Sequence, residues 1–267
     1  MPIGAFTEYM NVAQMVLYAF WIFFAGLIIY LRREDKREGY PLESDRNDRS
    51  SRVDVVGWPK PPAPKTFKLP MGQGSRLAPH EETIMAEIPG TKPARPAPGS
   101  PLEPTGNPML DGVGPASYAQ RDPLPDLAID GRPKVLPLRI ATDFMIEHND
   151  PDPRGMQVVA ADGQVAGTVT DLWVDRSEHR VLFFEVQLTP HGEHDESGQN
   201  VLLPYGFASV KFGRGQIRVV SITADQFHHV PRTETMEQVT RLEEDKITAY
   251  FSSGHLYANS ARQEPLI

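Results

Sequence analysis

Hydrophobic and polar positions along this chain fall into three regimes. Residues 12–31, VAQMVLYAFWIFFAGLIIYL, carry no formal charge, and Gln14 is their one strongly polar side chain. Twenty residues at helical rise cover about 30 Å, the thickness of the hydrocarbon core of a bilayer. The pattern therefore predicts a membrane-spanning helix. A cleaved signal peptide would need a basic start, a shorter apolar run and a small-residue cleavage site. Here Glu8 precedes the run and Arg32, Arg33, Lys36 and Arg37 follow it. A core helix of a soluble domain seldom runs so long without a charge. The basic residues after the span place the N-terminus (1–11) on the periplasmic side and the rest of the chain in the cytoplasm, and Tyr9 and Tyr30 stand near the two interfaces.

The second regime, 32–133, is first densely charged and then proline-rich. Residues 59–115 hold 14 of the 26 prolines, and proline removes backbone donors and disfavours helix in the residue before it. Two readings stand for this stretch, a disordered linker or an extended segment laid over a partner. The second is favoured by anchors spaced along it: Trp58, Phe67, Leu69, Ile84, Ile88, Leu102, Met109 and Leu110. Tyr40 and Leu42, apolar groups in the charged run beside the membrane, are candidate partner contacts.

The third regime, 134–267, alternates. A strand over 156–160 precedes the turn signal Ala161-Asp162-Gly163, and a long strand follows over 165–175. In 181–188, Leu182, Phe184, Val186 and Leu188 mark a buried face and Glu185 and Gln187 a solvent face. Further strands are expected over 200–204, 209–212 and 217–222. So many short strands in about 70 residues predict a small antiparallel β-barrel. Thr235 and Gln238 have capping-box spacing, opening a C-terminal helix that is expected to end near Gly254.

Composition narrows the function. The formal net charge of -8 opposes a nucleic-acid binder, which needs a surplus of Lys and Arg. With no cysteine, disulfides, thiolate zinc sites and cysteine-ligated iron–sulfur clusters are excluded. No phosphate-binding loop, dinucleotide fingerprint or nucleophile elbow occurs. Among candidate proton-handling groups, Asp171, Asp175 and Glu178 stand in TDLWVDRSE. On a regular strand Asp171, Trp173 and Asp175 share a face, and clustered, partly buried carboxylates are expected to have raised pKa values suited to a relay. His191 and His194 in TPHGEHDESG lack a second ligand pair, and adjacent His228 and His229 point opposite ways on an extended chain, so no metal site is assigned. Ala19 and Gly26 share a face of the span that would let another helix approach closely.

Several ordered motifs carry a family resemblance: YAFWIFFAGLIIYLRRED (18–35), REGYPLE (37–43), PKTFKLP (64–70), PTGNPMLDGVGPASYAQR (104–121), DPRGMQVV (152–159), GTVTDLWVDRSEH (167–179) and LEEDKITAYFSSGHLYA (242–258). The chain resembles the H subunit of the photosynthetic reaction centre of purple bacteria, whose cytoplasmic domain is a PRC-type barrel. Residues 44–60 and 73–101 match poorly. The resemblance implies a non-catalytic, single-pass subunit of the bacterial inner membrane. It would cap and stabilise the L and M subunits and conduct protons to the secondary quinone. It implies no cofactor on this chain, with bacteriochlorophyll, bacteriopheophytin, quinones and non-haem iron held by L and M. An antenna ring, membrane lipids and a cytochrome subunit are further candidate partners.

By the same resemblance Glu178 corresponds to a buried glutamate near the secondary quinone, Asp175 to the aspartate leading to it, and Asp130 to an aspartate at the entrance. Two histidines that follow this aspartate in some members are absent from Asp130-Gly131-Arg132-Pro133-Lys134, so entry would rely on carboxylates, with His148 or His179 assisting. Arg132 is expected to depress the pKa of Asp130. Two rivals from other classes are a membrane-tethered barrel adaptor for another protein and a single-pass enzyme at the acidic cluster. Which partners order 40–115, and whether the soluble part acts on a small substrate, would discriminate them.

Overall fold

In the computed structural model, residues 11–38, 40, 58–78, 89–97, 100–190 and 198–263 are described. They belong to two compact units, one built on 1–85 with 95–100, the other on 86–94 with 101–267.

The first unit is organised by helix α1 (Val12–Arg37). Its start is fixed by a reciprocal cap in which Asn11 Oδ1 accepts the Gln14 N–H (2.8 Å) and Gln14 Oε1 accepts the Asn11 N–H (3.1 Å). The only strongly polar residue of the apolar run thus serves its end. The helix continues six residues past the expected stop at Leu31, because Arg37 Nε pairs back to Glu34 (2.8 Å) along the last turn. None of its side chains is buried, and it is long and apolar enough to cross a membrane. Strands β1 (Lys65–Lys68) and β2 (Ser75–Ala78) form a small antiparallel hairpin in the same unit.

The second unit begins with another short hairpin, β3 (Thr91–Pro93) and β4 (Leu102–Pro104). Its main sheet contains β5 (Val135–Pro137), β6 (Gln157–Val159), β7 (Val165–Asp175), β8 (Arg180–Leu188), β9 (Asn200–Pro204), β10 (Ala208–Lys211) and β11 (Gln216–Val219). The order is β10-β11-β6-β7-β8-β9, with β5 paired to the far part of β7. The β6–β7 turn is the expected Asp-Gly turn, with Gly163 at φ 81° and Asp162 Oδ1 accepting the Gln164 N–H (3.2 Å).

The expected mainly-β domain with a C-terminal helix is present, but its sheet differs from a closed antiparallel barrel. Among the described residues the hydrogen-bonded path does not close, and β11 pairs with β6 in parallel. The reason lies at the 3-10 turn Tyr205–Phe207, after which β10 runs in the same sense as β9 instead of folding back on it. Strand β11, antiparallel to β10, therefore arrives at β6 in the same direction.

Helix α2 (Arg241–Tyr257) also differs from expectation. Its cap is Thr240, whose Oγ1 accepts the Glu243 N–H (3.2 Å) while Glu243 accepts the Thr240 N–H (2.7 Å). The Thr235/Gln238 pair has the same spacing but lies in the preceding loop. Ile247, Tyr250, Phe251 and Gly254 form the buried helical stripe, which joins Trp173, Phe184, Ile217, Ile222 and Phe227 in one apolar core. Gly254 is a close-approach position inside the helix and not its cap. The end is held by Arg262, whose guanidinium donates to Gly254 O (2.6 Å), Ser221 O (2.7 Å) and Val220 O (2.9 Å).

Candidate functional site

Strand β7 carries the acids of TDLWVDRSE, and β5 runs beside it with Val135 opposite Asp175 and Pro137 opposite Trp173. This pairing brings one cation to each end of the acidic stretch. Lys134, just before β5, places Nζ 3.1 Å from Asp175 Oδ2 and 3.6 Å from Glu178 Oε1. Arg139, just after β5, places Nη1 3.0 Å from Asp171 Oδ2.

The β7–β8 turn is built by Asp175. Its Oδ1 accepts the N–H of Ser177 (2.8 Å) and of Glu178 (3.0 Å), an Asx-type turn that leaves His179 at φ 53°. The Asp175 side chain is 1% exposed. Burial raises its pKa, but the Glu178 N–H, the Lys134 ammonium and the Ser177 N–H outweigh burial and hold the carboxyl below its usual range. The expected upward shift is thus reversed at Asp175, because each oxygen already has a donor. Glu178 is half exposed and also pairs with Arg180 (2.9 Å). Its carboxylate stands at the surface of this chain, where a partner could cover it.

Asp130 lies beside the same turn. Its carboxylate is bound by Arg176, by the Arg132 N–H (3.0 Å) and by Arg132 Nε (2.9 Å), and these donors, Arg176 foremost, hold its pKa far below the usual value. Arg132 depresses it as expected; the stronger contribution from Arg176 is additional. Arg176 also donates to Pro133 O (3.2 Å), and its own N–H goes to Lys134 O (2.9 Å), so the Asp130–Arg176 pair is joined through the backbone to a second group in which Lys134 pairs with Asp175 and Glu178, and Glu178 with Arg180. Glu244 on α2 stands within electrostatic reach of this second group. Burial, then the negative charges of Asp245, Asp126 and Asp175, raise its pKa against the opposing pull of Lys134.

Asp171 belongs elsewhere. Strand β7 is irregular, with register shifts against β8 after Val169 and after Trp173, and Asp171 stands directly across from Glu185. Both are buried. Like charges opposite one another are unfavourable, and Arg139 Nη1 bridges them, 2.6 Å from Glu185 Oε2. The Trp173 indole N–H donates to the same Oε2 (2.8 Å), and Asn200 Nδ2 to Oε1 (2.7 Å). Asp171, Trp173 and Asp175 therefore do not form one cluster: the first two converge on Glu185 and the third on Lys134.

Alternation assigned Glu185 to solvent, yet its face is covered too. The signal was the run VLFFEV, in which apolar residues continue through both faces of the strand. Lys134, Arg139, Arg176 and Glu244 likewise escaped notice, since pairing across strands and helix is invisible in local spacing.

Of the other singled-out residues, His148 is exposed and sits 2.5 Å from Glu147, and the His179 ring stacks edge-on against Phe144 (5.3 Å between centroids). Tyr40 is exposed, its N–H bound to Asp35 O (3.0 Å). Leu42, His191 and His194 lie outside the described residues. Trp58, Phe67, Leu102 and Leu110 are exposed, whereas Met109 joins the core of the second unit.

A carboxylate with a depressed pKa stabilises the fold above its unfolded pKa of about 4 and loses that contribution as pH falls below it. Asp175→Asn is therefore expected to flatten the acid limb of the stability curve below about pH 4, measured by thermal unfolding of the full chain across that range. An unchanged limb would show that Asp175 does not govern it.

Comparison with known families agrees with this architecture in two steps. Residues 145–226, from the approach to β6 through β11, match the PRC-barrel domain. Residues 4–140, more than half of the chain, match the H-chain N-terminal region of the photosynthetic reaction centre. The chain belongs to the reaction-centre H-chain family, a subunit of a photochemical complex whose membership implies association with the L and M subunits.

Proposed function

We propose that this chain caps the cytoplasmic side of the L and M subunits and conducts protons to the secondary quinone without binding a pigment or redox cofactor itself. The observation that carries this reading is the pair of Asp130 with Arg176 beside the group of Lys134, Asp175 and Glu178. Reduction of a quinone to quinol in a water-shielded site consumes protons, and moving them singly through a low-dielectric interior is costly unless fixed charges and acceptors are already in place. These two neighbouring groups of ion pairs supply such a surface.

Within it the roles divide by affinity for protons. Asp130 stays ionised at the entrance and attracts protons without retaining them. Asp175 anchors the turn that presents Glu178, the group nearest the quinone. Glu244, within electrostatic reach of these groups, has its pKa shifted upwards by burial and neighbouring acids and so holds a proton more readily than they do. Arg32, Arg33, Lys36 and Arg37, which follow the apolar run, support a cytoplasmic position for this domain by the positive-inside rule.

The test is flash spectroscopy on complexes carrying Glu178→Gln. The second, proton-coupled electron transfer to the quinone is expected to slow by about a hundredfold, the lower end for loss of a positioned proton-transfer group, while primary bleaching is unchanged. A wild-type second transfer would remove Glu178 from the path.

A further inference from the structure

The hairpin of β1 and β2 combines basic and exposed apolar side chains. Residues 64–78 contain Lys65, Lys68 and Arg76 and no acid. Phe67, Met71 and Leu77 are each more than two-fifths exposed, and every residue of β1 is exposed. The register sets Lys65 opposite Ala78 and Phe67 opposite Arg76 on one face, and Lys65 Nζ lies 5.3 Å from the centre of the Phe67 ring. Glu34, an acid near Lys65, already pairs with Arg37.

The position of the hairpin is fixed as well. Arg37 Nη1 donates to Ala63 O (2.6 Å) and Ala78 O (3.2 Å), holding both legs of the hairpin at the last turn of α1. Lys36 Nζ adds a bond to Pro59 O (2.5 Å). Arg37 lies six residues beyond the end of the apolar run at Leu31, about 9 Å along the helix. That distance reaches the outer edge of the headgroup layer and lies within about a Debye length of a charged bilayer surface.

We propose that the 64–78 hairpin docks on the membrane surface and binds anionic lipid headgroups. Lys65 and Phe67 lie on one face of the hairpin and Lys68 and Leu77 on the other, so it enters edge-on, with Met71 of the connecting turn in the interface and the two lysines meeting headgroups on either side. Exposed lysines beside exposed apolar side chains suit that layer, where stems and rings are buried while ammonium groups meet phosphates. The inference depends on the spanning helix and on no feature of the proton path.

Because the chain lacks cysteine, Met71→Cys gives a unique site for a fluorophore. The full-length chain is placed in nanodiscs of phosphatidylcholine, with or without phosphatidylglycerol, containing lipids spin-labelled near the headgroup. Strong quenching is expected with phosphatidylglycerol, falling several-fold in phosphatidylcholine alone and with Lys65→Gln/Lys68→Gln, each lysine contributing about fivefold in affinity. Absence of quenching in either lipid would place the hairpin in water or against protein and overturn the proposal. Equal quenching in both lipids, unaffected by the double substitution, would overturn the anionic specificity.

Discussion

Replacing Arg139 with leucine is expected to lower stability by about 3 kcal/mol, near the bottom of the range for stripping a buried charge of its partner. The lower end applies because the guanidinium stands at the mouth of its site, 39% exposed, while the Asp171 and Glu185 side chains are 8% and 4% exposed. Without the Arg139 guanidinium the two carboxylates face each other across β7 and β8 with neutral donors alone, the backbone N–H groups of residues 139 and 172 at Asp171 and the Trp173 indole and Asn200 amide at Glu185. Urea unfolding of the full-length chain in mild detergent measures the loss. Neutralising the acids as well, with Asp171→Asn and Glu185→Gln, is expected to recover most of it, since the penalty arises from uncompensated charge. A loss below about 1 kcal/mol would mean that water or another cation already compensates the pair.

Gly254→Ala is the second large effect. A methyl group there would sit 2.4 Å from Ile222 Cγ2 and 2.5 Å from Ser221 O. Alanine favours a helix over glycine by about 1 kcal/mol, so propensity alone predicts stabilisation. Overpacking costs about 1–3 kcal/mol, and here one of the atoms struck is backbone, held in turn by Arg262. The clash should prevail, for a net loss of about 1–2 kcal/mol, with α2 displaced from the segment that follows β11. A stabilised variant in the same urea assay would show that this segment yields freely.

Local features of the sequence were read well where a short-range rule governs them. The apolar helix over 12–31, the Asp-Gly turn, and strands β7 and β9 follow from periodicity and turn chemistry, and each is helical, turned or extended where those rules place it. The misreadings share one cause, competition from distant residues. Thr235 and Thr240 offer similar caps, and the stripe through Ile247, Tyr250 and Phe251 that docks on the sheet selects the second. Gly254 resembles a helix stop until Ser221 and Ile222 occupy the space a side chain would need. Likewise, a raised pKa at Asp175 follows from clustered acids only if donors and cations stay away, and Lys134 and the turn's own N–H groups do not.

Strand β5 pairs over only three residues, yet the cations that flank it, Lys134 and Arg139, serve different acids. The turn of Asp175 and the buried pair of Asp171 and Glu185 therefore become electrically complete in one event, when β5 comes to rest beside β7. A one-residue slip would turn both cations away together. Until that docking, Asp171 and Asp175 of β7 and Glu185 of β8 stand without these counter-charges. Substitutions that shift β5 are therefore expected to disable both ion-pair groups together.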